Sequence, residues 1–270
     1  MDRQTACRIC GSQAYRTACT AGGARYVACA GCGVTRQRPY PTEQETRRYY
    51  DEYLKIKALG NPLYLSEANW QEYKRIKDLT LQDLGCAVEA IRGKRVLDVG
   101  CATGQFVRYA ASLGADACGI DISGDMVAEA RKMGLNCEVK SLFEVGGCFD
   151  FIAMNHVIEH VDDPPAYLAH ARGILAEDGF LLVETPCTGA ISEAFGAQWR
   201  FYIPTEHIHL FSQESLFRVL SRTGFRPRSW VRFGSGNTAG AVPEAQKKAA
   251  DAAAKKNGTG DTIAVLCVKG

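Results

Sequence analysis

Between residues 95 and 107 the chain reads RVLDVGCATGQFV. A short apolar run ends in an acid, passes through a turn holding Gly100 and Gly104, and opens into a helix. That order predicts a buried strand feeding straight into a crossover helix. The alternation repeats downstream. ADACGID (115–121) precedes a helix over 123–133, and NCEVK (136–140) and FDFIAMN (149–155) precede a helix near 164–175. GFLLVET (179–185) precedes a helix at 212–223, and strands at 225–233 and 261–269 close the chain. Ahead of them all, Trp70, Tyr73, Ile76, Leu79, Leu84 and Val88 predict an amphipathic helix over 67–91. Strands and helices spaced this way specify an α/β fold: a Rossmann-like, seven-stranded, mostly parallel, doubly wound sheet. Ligands of such sheets bind at the carboxyl ends of the strands.

A different pattern fills the first 32 residues. Cys7-Arg-Ile-Cys10 and Cys29-Ala-Gly-Cys32 can each place two sulfurs about 2.3 Å from one metal, and together they complete a tetrahedron. The expectation is a small zinc ribbon over 1–40. Four cysteines leave no open coordination position, so this zinc is structural. The other eight of the twelve cysteines are scattered and read as small buried hydrophobes. The ribbon also carries Arg3, Arg8, Arg16, Arg25, Arg36 and Arg38, with Asp2 as its one acid. Two roles fit them: contact with phosphate, or compensation of a doubly negative zinc-tetrathiolate centre. Residues 42–57 read as a charged, Tyr-rich helix, so 41–65 is expected to be a helical linker and 66–270 the main domain. Net charge is +2, from 32 basic and 30 acidic residues, which argues against holding nucleic acid by bulk charge. No apolar run approaches about 18 residues, and the opening MDRQTACRIC lacks a signal-peptide core. A cytoplasmic protein without membrane contact is expected.

Asp121 ends the strand after the Gly-rich turn, where a carboxylate can accept hydrogen bonds from both hydroxyls of a ribose. The glycine spacing is not G-x-G-x-x-G and no P-loop lysine follows, which disfavours a dinucleotide or ATP phosphate site. With these residues in place, the chain resembles the class I S-adenosylmethionine-dependent methyltransferases, in the ubiquinone-O-methyltransferase-like branch. Residues 96–104 (VLDVGCATG) are similar to the family's first motif, and 149–161 (FDFIAMNHVIEHV) to its fourth-strand motif. GFLLVETP (179–186), WRFYIPTEHIHLFS (199–212) and SRTGF (221–225) resemble the segments that follow. The resemblance covers about residues 66–270 and implies methyl transfer from S-adenosylmethionine. It implies Asp98, Gly100 and Gly104 along the methionine end of the cofactor, Asp121 at the ribose, Leu142 and Phe143 on either side of the adenine, and Asn155 beside them. Where the family often has an acid for the adenine amine, Ser141 stands here.

Four of the five histidines fall in these motifs: His156 and His160, then His207 and His209. In His156-Val-Ile-Glu159-His160 the polar residues recur at i, i+3 and i+4, one face of a helical turn. The resemblance relates this to the E-x-x-E-H metal motif of related O-methyltransferases, with His in place of the first Glu. Three readings stay open. A second, divalent metal could sit at the active site, completed by His207 or His209. One histidine could act directly as the general base. Or the histidines could be hydrogen-bonded structural groups. His170 reads as a surface residue. Residues 188–203, with Phe195, Trp199, Phe201 and Tyr202, read as a lid over the acceptor or as core packing, and 241–257 as an Ala/Lys helix.

The function expected is O-methylation of a small-molecule acceptor, such as a sugar-bearing or natural-product intermediate. The alternatives are an RNA methyltransferase whose ribbon holds nucleic acid, and a non-catalytic interaction protein. Asn155-His-Val-Ile stands where an N/D-P-P-Y/F tetrad would signal methylation of exocyclic amines. Gly100, Gly104 and Asp121 argue against a protein that has lost its cofactor.

Overall fold

A computed structural model describes residues 6–60, 65–238 and 240–270. Asp2 and Arg3 of the ribbon, and 61–64 of the expected linker, lie outside the described residues. The ribbon is a three-stranded antiparallel meander of β1 (Tyr15–Ala21), β2 (Ala24–Cys29) and β3 (Thr35–Arg38). Gly22 and Gly23 join β1 to β2 at φ +56° and +80°. A two-residue hairpin loop with both central φ positive matches the strand twist, and glycine adopts it without a Cβ clash.

Helices α1 (Glu43–Asp51) and α2 (Tyr53–Gly60) follow. Thr42 and Glu45 cap α1 reciprocally, each side chain taking the other's backbone N–H. Next, α3 (Glu67–Asp83) stops short of the expected residue 91, just before Gly85; a single 3₁₀ turn takes Val88–Ala90. Then come β4 (Arg95–Val99), α4 (Gln105–Ser112), β5 (Asp116–Asp121), α5 (Gly124–Lys132), β6 (Cys137–Val139), β7 (Phe149–Asn155), α6 (Pro164–Ile174) and β8 (Leu175–Thr188). The chain ends with α7 (Ala190–Phe195), β9 (His209–Ser212), α8 (Gln213–Arg222), β10 (Phe225–Phe233), α9 (Glu244–Lys256) and β11 (Thr262–Lys269).

The seven expected strands stand in the order β6-β5-β4-β7-β8-β11-β10. All pairings from β6 to β8 are parallel, and β11 runs antiparallel to both its neighbours. Apolar side chains bury both faces. Leu97, Ile152 and Val183 pack on one side against α6 and α8, while Val96, Phe151 and Leu182 pack on the other against α3 and α4. Among the described residues no helix is long and apolar enough to cross a membrane.

The ribbon is stitched into this sheet. β9, a strand the sequence reading did not contain, pairs in parallel with the end of β8 through Cys187–Phe211 and Thr188–Ser212. Its other edge pairs with β3, Arg36 opposite His209. The sulfurs of Cys7, Cys10, Cys29 and Cys32 lie within 4.8 Å of one another, with Cys7–Cys32 at 3.6 Å and Cys10–Cys29 at 3.5 Å. A zinc tetrathiolate with bonds of about 2.3 Å has sulfur–sulfur edges near about 3.8 Å, so the cluster fits that ion. The Cys32 hydrogen bond outweighs burial and draws the Cys7 thiol down to about 5. Arg36 is fully buried between the rings of Tyr15 and Tyr40, and Arg8 lies over Tyr40 and pairs with Asp162. These two arginines pack where the ribbon meets the main domain.

Candidate active site

A continuous cleft runs along the carboxyl ends of β4, β5 and β7. Its inner lobe, of about 380 Å³, is lined by Gly100, Asp121, Leu142, Asn155, His156 and His160. Tyr50 of α1 and Tyr53 of α2 roof it, so the expected linker forms a wall of the cleft. A second lobe, of about 510 Å³, shares Gly100, Asn155 and His156 and adds Asp98, Glu184 and Phe201.

Asp121 sits at the end of β5 with Oδ1 accepting the Ser123 N–H and Oδ2 the Ala102 N–H, both at 2.8 Å. Burial raises its pKa, and these backbone donors oppose that. A ribose diol reaching into the lobe would meet this carboxylate. Leu142 is buried on the lobe wall, and Ile122, next to Asp121, offers an exposed apolar face on the same wall. Asp98 is buried beneath the second lobe, and burial drives its pKa well up.

Two expected cofactor residues are placed elsewhere. Phe143 is 51% exposed, its ring edge-on to Tyr167 and His170, and it lines neither lobe. The 3₁₀ turn Leu142–Glu144 buries Leu142 and sends the next side chain outward. Gly104 also lies outside the cleft. A Cβ there would stand 2.6 Å from Leu135, in the core between α5 and β6. Gly100 does line both lobes, but its missing Cβ faces Val157, again at 2.6 Å. Both glycines adopt left-handed φ, so packing and backbone shape already require glycine at each.

The polar cluster follows β7. His156 holds φ +54°, a conformation that a non-glycine residue keeps only where its surroundings enforce it. Its Nδ1 is 3.0 Å from Glu159 Oε1 and its Nε2 is 3.6 Å from Glu184 Oε1. Burial disfavours its charge, but the two carboxylates outweigh that and lift it to about 9. The two carboxylates thus favour the charged form of His156. Glu159 is fully buried and accepts the Thr185 hydroxyl at 2.9 Å. Burial would raise it, yet His160, His156 and His207 hold it at about 2.

His160 donates Nδ1–H to the Glu206 carbonyl at 2.8 Å, and His207 donates Nδ1–H to the Phe201 carbonyl at 2.8 Å. A carbonyl oxygen only accepts, so Nδ1–H is the donor in both rings, and Nε2 of His160 lies 3.7 Å from Glu159 Oε1. The rings lie 4.9 Å apart, and ligand atoms of Glu159, His160 and His207 fall within 4.8 Å of one another. Burial first, then His160, pushes His207 down to about 4, so it is neutral. His209 points away, onto the Tyr40 hydroxyl at 3.3 Å. His170 is half-buried, its Nε2 on the Val145 carbonyl at 2.9 Å.

Three charged residues of this site were not anticipated. Lys77 of α3 is buried and its Nζ lies 2.7 Å from Glu184 Oε2 and 2.8 Å from Asn155 Oδ1. Lys77 and His156 keep Glu184 at about 2 against burial. Glu206 accepts from Tyr49, from Tyr53 at 3.3 Å and from Lys57 at 2.8 Å, which ties α1 and α2 to the cleft. For Lys77 a signal existed: it continues the Trp70–Tyr73 stripe of α3 at helical spacing, where a lysine is out of place unless it has a buried partner.

The sheet order and cleft are those of a class I S-adenosylmethionine-dependent methyltransferase. Comparison with known proteins agrees. A family described as a methyltransferase domain matches residues 70–229, more than half the chain, and the chain belongs to that family. The ubiquinone biosynthesis O-methyltransferase of Xanthomonas campestris is 28% identical over 157 residues, covering 54% of this chain and 65% of that protein. The enzyme of the same description from Cereibacter sphaeroides is 32% identical over 166 residues, 52% of this chain and 67% of that one. The match to the Xanthomonas protein thus spans less than two thirds of its length. A magnesium protoporphyrin IX methyltransferase from Synechocystis, solved with bound S-adenosylmethionine, superposes with a TM-score of 0.56 at 14% identity, covering 85% of this chain and 99% of that one. A possible histamine N-methyltransferase from Thermotoga maritima gives 0.55 at 21%, covering 84% and 99%.

Proposed function

We propose that this chain transfers the methyl group of S-adenosylmethionine to an oxygen of a small-molecule acceptor, and that residues 6–40 are a ribbon holding structural zinc on Cys7, Cys10, Cys29 and Cys32. One observation carries the reading: Asp121, His156 and His160 line a single lobe, and Glu159 and His207 are grouped with His160 at its wall. When bound, S-adenosylmethionine supplies an electrophilic methyl group on a sulfonium. Asp121 accepts hydrogen bonds from the ribose hydroxyls, Leu142 and Ile122 flank the base, and Gly100, Asp98 and Asn155 line the methionine end. His160, which lines the inner lobe, takes the acceptor's proton on Nε2 as the oxygen attacks the methyl carbon and S-adenosylhomocysteine leaves. His156, its charged form favoured by two carboxylates, donates a hydrogen bond and orients. The names of the ubiquinone O-methyltransferases support oxygen as the acceptor atom. The burial of Arg36 and the pairing of Arg8 favour a small molecule over RNA, since they draw two ribbon arginines away from solvent.

A second reading of the same cluster is favoured by its ligand spacing. Glu159, His160 and His207 would hold a divalent ion, with both Nδ1 atoms already fixed by carbonyls as metal-bound histidines require. Two histidines and a carboxylate suit iron, manganese or zinc better than magnesium, and the ion would lower the pKa of an acceptor hydroxyl. The test is methyl transfer from labelled S-adenosylmethionine to a panel of phenols and sugars. Acceptor methylation that disappears in His160→Ala is expected. Transfer that survives His160→Ala, His156→Ala and His207→Ala alike would sink the reading. Loss on chelation, with the ribbon zinc shown to remain, would select the metal.

A further inference from the structure

The segment 199–209 brings Glu206 and His207 beside His160, and its own bonds run to the Glu159 carbonyl, to Asp261 and, over much of its length, to the ribbon. At one end Tyr26 of β2 packs on Tyr202 with ring centroids 4.6 Å apart, in a cluster with Ala21, Trp199 and Leu210. The hairpin tip touches the same segment: a Cβ on Gly22 would stand 2.9 Å from the Pro204 ring. At the other end Arg36 pairs with His209, and Tyr40 meets the His209 ring at 3.3 Å. Between them lies Thr205 at φ +72°, a left-handed conformation costly for a β-branched residue. Its N–H is taken by Gln37 Oε1 at 2.8 Å, and the Gln37 backbone N–H reaches the Ile208 carbonyl at 3.2 Å. One ribbon residue therefore spans the strained turn on both sides of Glu206 and His207.

We propose that the ribbon is the scaffold of the acceptor side of the active site, and that Gln37 is the positioning residue through which it holds His207 against His160. The assignment of His207 to the site rests on the function proposed above. The holding of the turn is a property of the fold and is measured without turnover. Without the Gln37 oxygen the Thr205 N–H is left unpaired and the turn loses the bond that offsets its strain. The His207 amide, bonded to Ile203 across that turn, then opens more often.

The full zinc-loaded chain is compared with Gln37→Ala and Gln37→Glu by amide hydrogen exchange, and by the proton NMR signal of the His207 Nδ1–H that Phe201 holds. In Gln37→Ala the Thr205 and His207 amides should exchange about tenfold faster and the ring signal should broaden, while β7 and β8 keep their protection. Gln37→Glu keeps an acceptor oxygen and should restore both readouts. Affinity for S-adenosylhomocysteine should stay within about twofold throughout, because the inner lobe is built elsewhere. Native exchange in Gln37→Ala overturns the proposal. So does a Gln37→Glu chain that behaves like the alanine variant, or a rise in exchange that spreads across β7 and β8. Should Gln37→Ala not fold, Gln37→Met keeps the side-chain length without the acceptor and is read by the same outcomes.

Discussion

On the cofactor side of the cleft, Gly100, Asp121 and Leu142 each lie at or just after the end of their own strand, β4, β5 or β6. On the acceptor side, Lys77 comes from α3, Glu184 from β8, His156 to His160 from the turn after β7, and Glu206 and His207 from a segment gripped by the ribbon. The first side is assembled by neighbours in sequence and contains one carboxylate held by backbone donors. The second is assembled across the whole chain and carries buried charges that neutralise one another. The contrast teaches where a change of residue does its damage. Acceptor-side substitutions should act on binding and folding together, through the buried charges they unbalance.

The largest effect is expected at the ribbon. Cys7→Ser with Cys32→Ser should take zinc content from about one per chain to none, because two of four ligands are lost, and a structural zinc is worth about 10–16 kcal/mol. Metal analysis beside hydrogen exchange of residues 203–209 checks this; unchanged zinc would exclude these cysteines as ligands. Next comes Lys77→Met, which strands the Glu184 carboxylate with only the more distant His156. Breaking a buried pair by one partner costs about 3–5 kcal/mol, whereas Lys77→Met with Glu184→Gln should recover most of it. Urea unfolding of the two variants provides the comparison. The pH dependence has a definite sign. Glu184 is held down to about 2 in the fold, so its contribution is fully present above the ordinary carboxylate range and is lost as pH falls towards about 2. The double variant should lose that part of the acid-side slope.

Smaller is the effect of Asp121→Ala on binding. It should cost about 1–3 kcal/mol of S-adenosylhomocysteine affinity by calorimetry, the range for hydrogen bonds to a charged group. An equal affinity would remove Asp121 from the cofactor site. The smallest effect is Phe143→Ala: its ring stands outside both lobes, so affinity should change by less than about twofold. A tenfold loss would mean that the turn Leu142–Glu144 rearranges around the adenine.

The sequence by itself determined the α/β class, the seven strands of the main sheet, the sulfur quartet, and the place of Asp121 at a strand end. These depend on local signals: apolar runs with the right period, turn glycines, and ligand spacing within one short module. The sequence also brought His156, Glu159 and His160 together, since one helical turn spans them. It did not distinguish their roles, because ionisation depends on neighbours far along the chain. Only the tertiary structure put Glu184 beside His156 and so raised that histidine's pKa, chose His207 over His209, turned Phe143 outward, and joined β3 to β9. Each of those outcomes rests on contacts between distant segments. The pairing of Lys77 with Glu184, or of Gln37 with Thr205, becomes energetically meaningful only once folding has excluded water from between them.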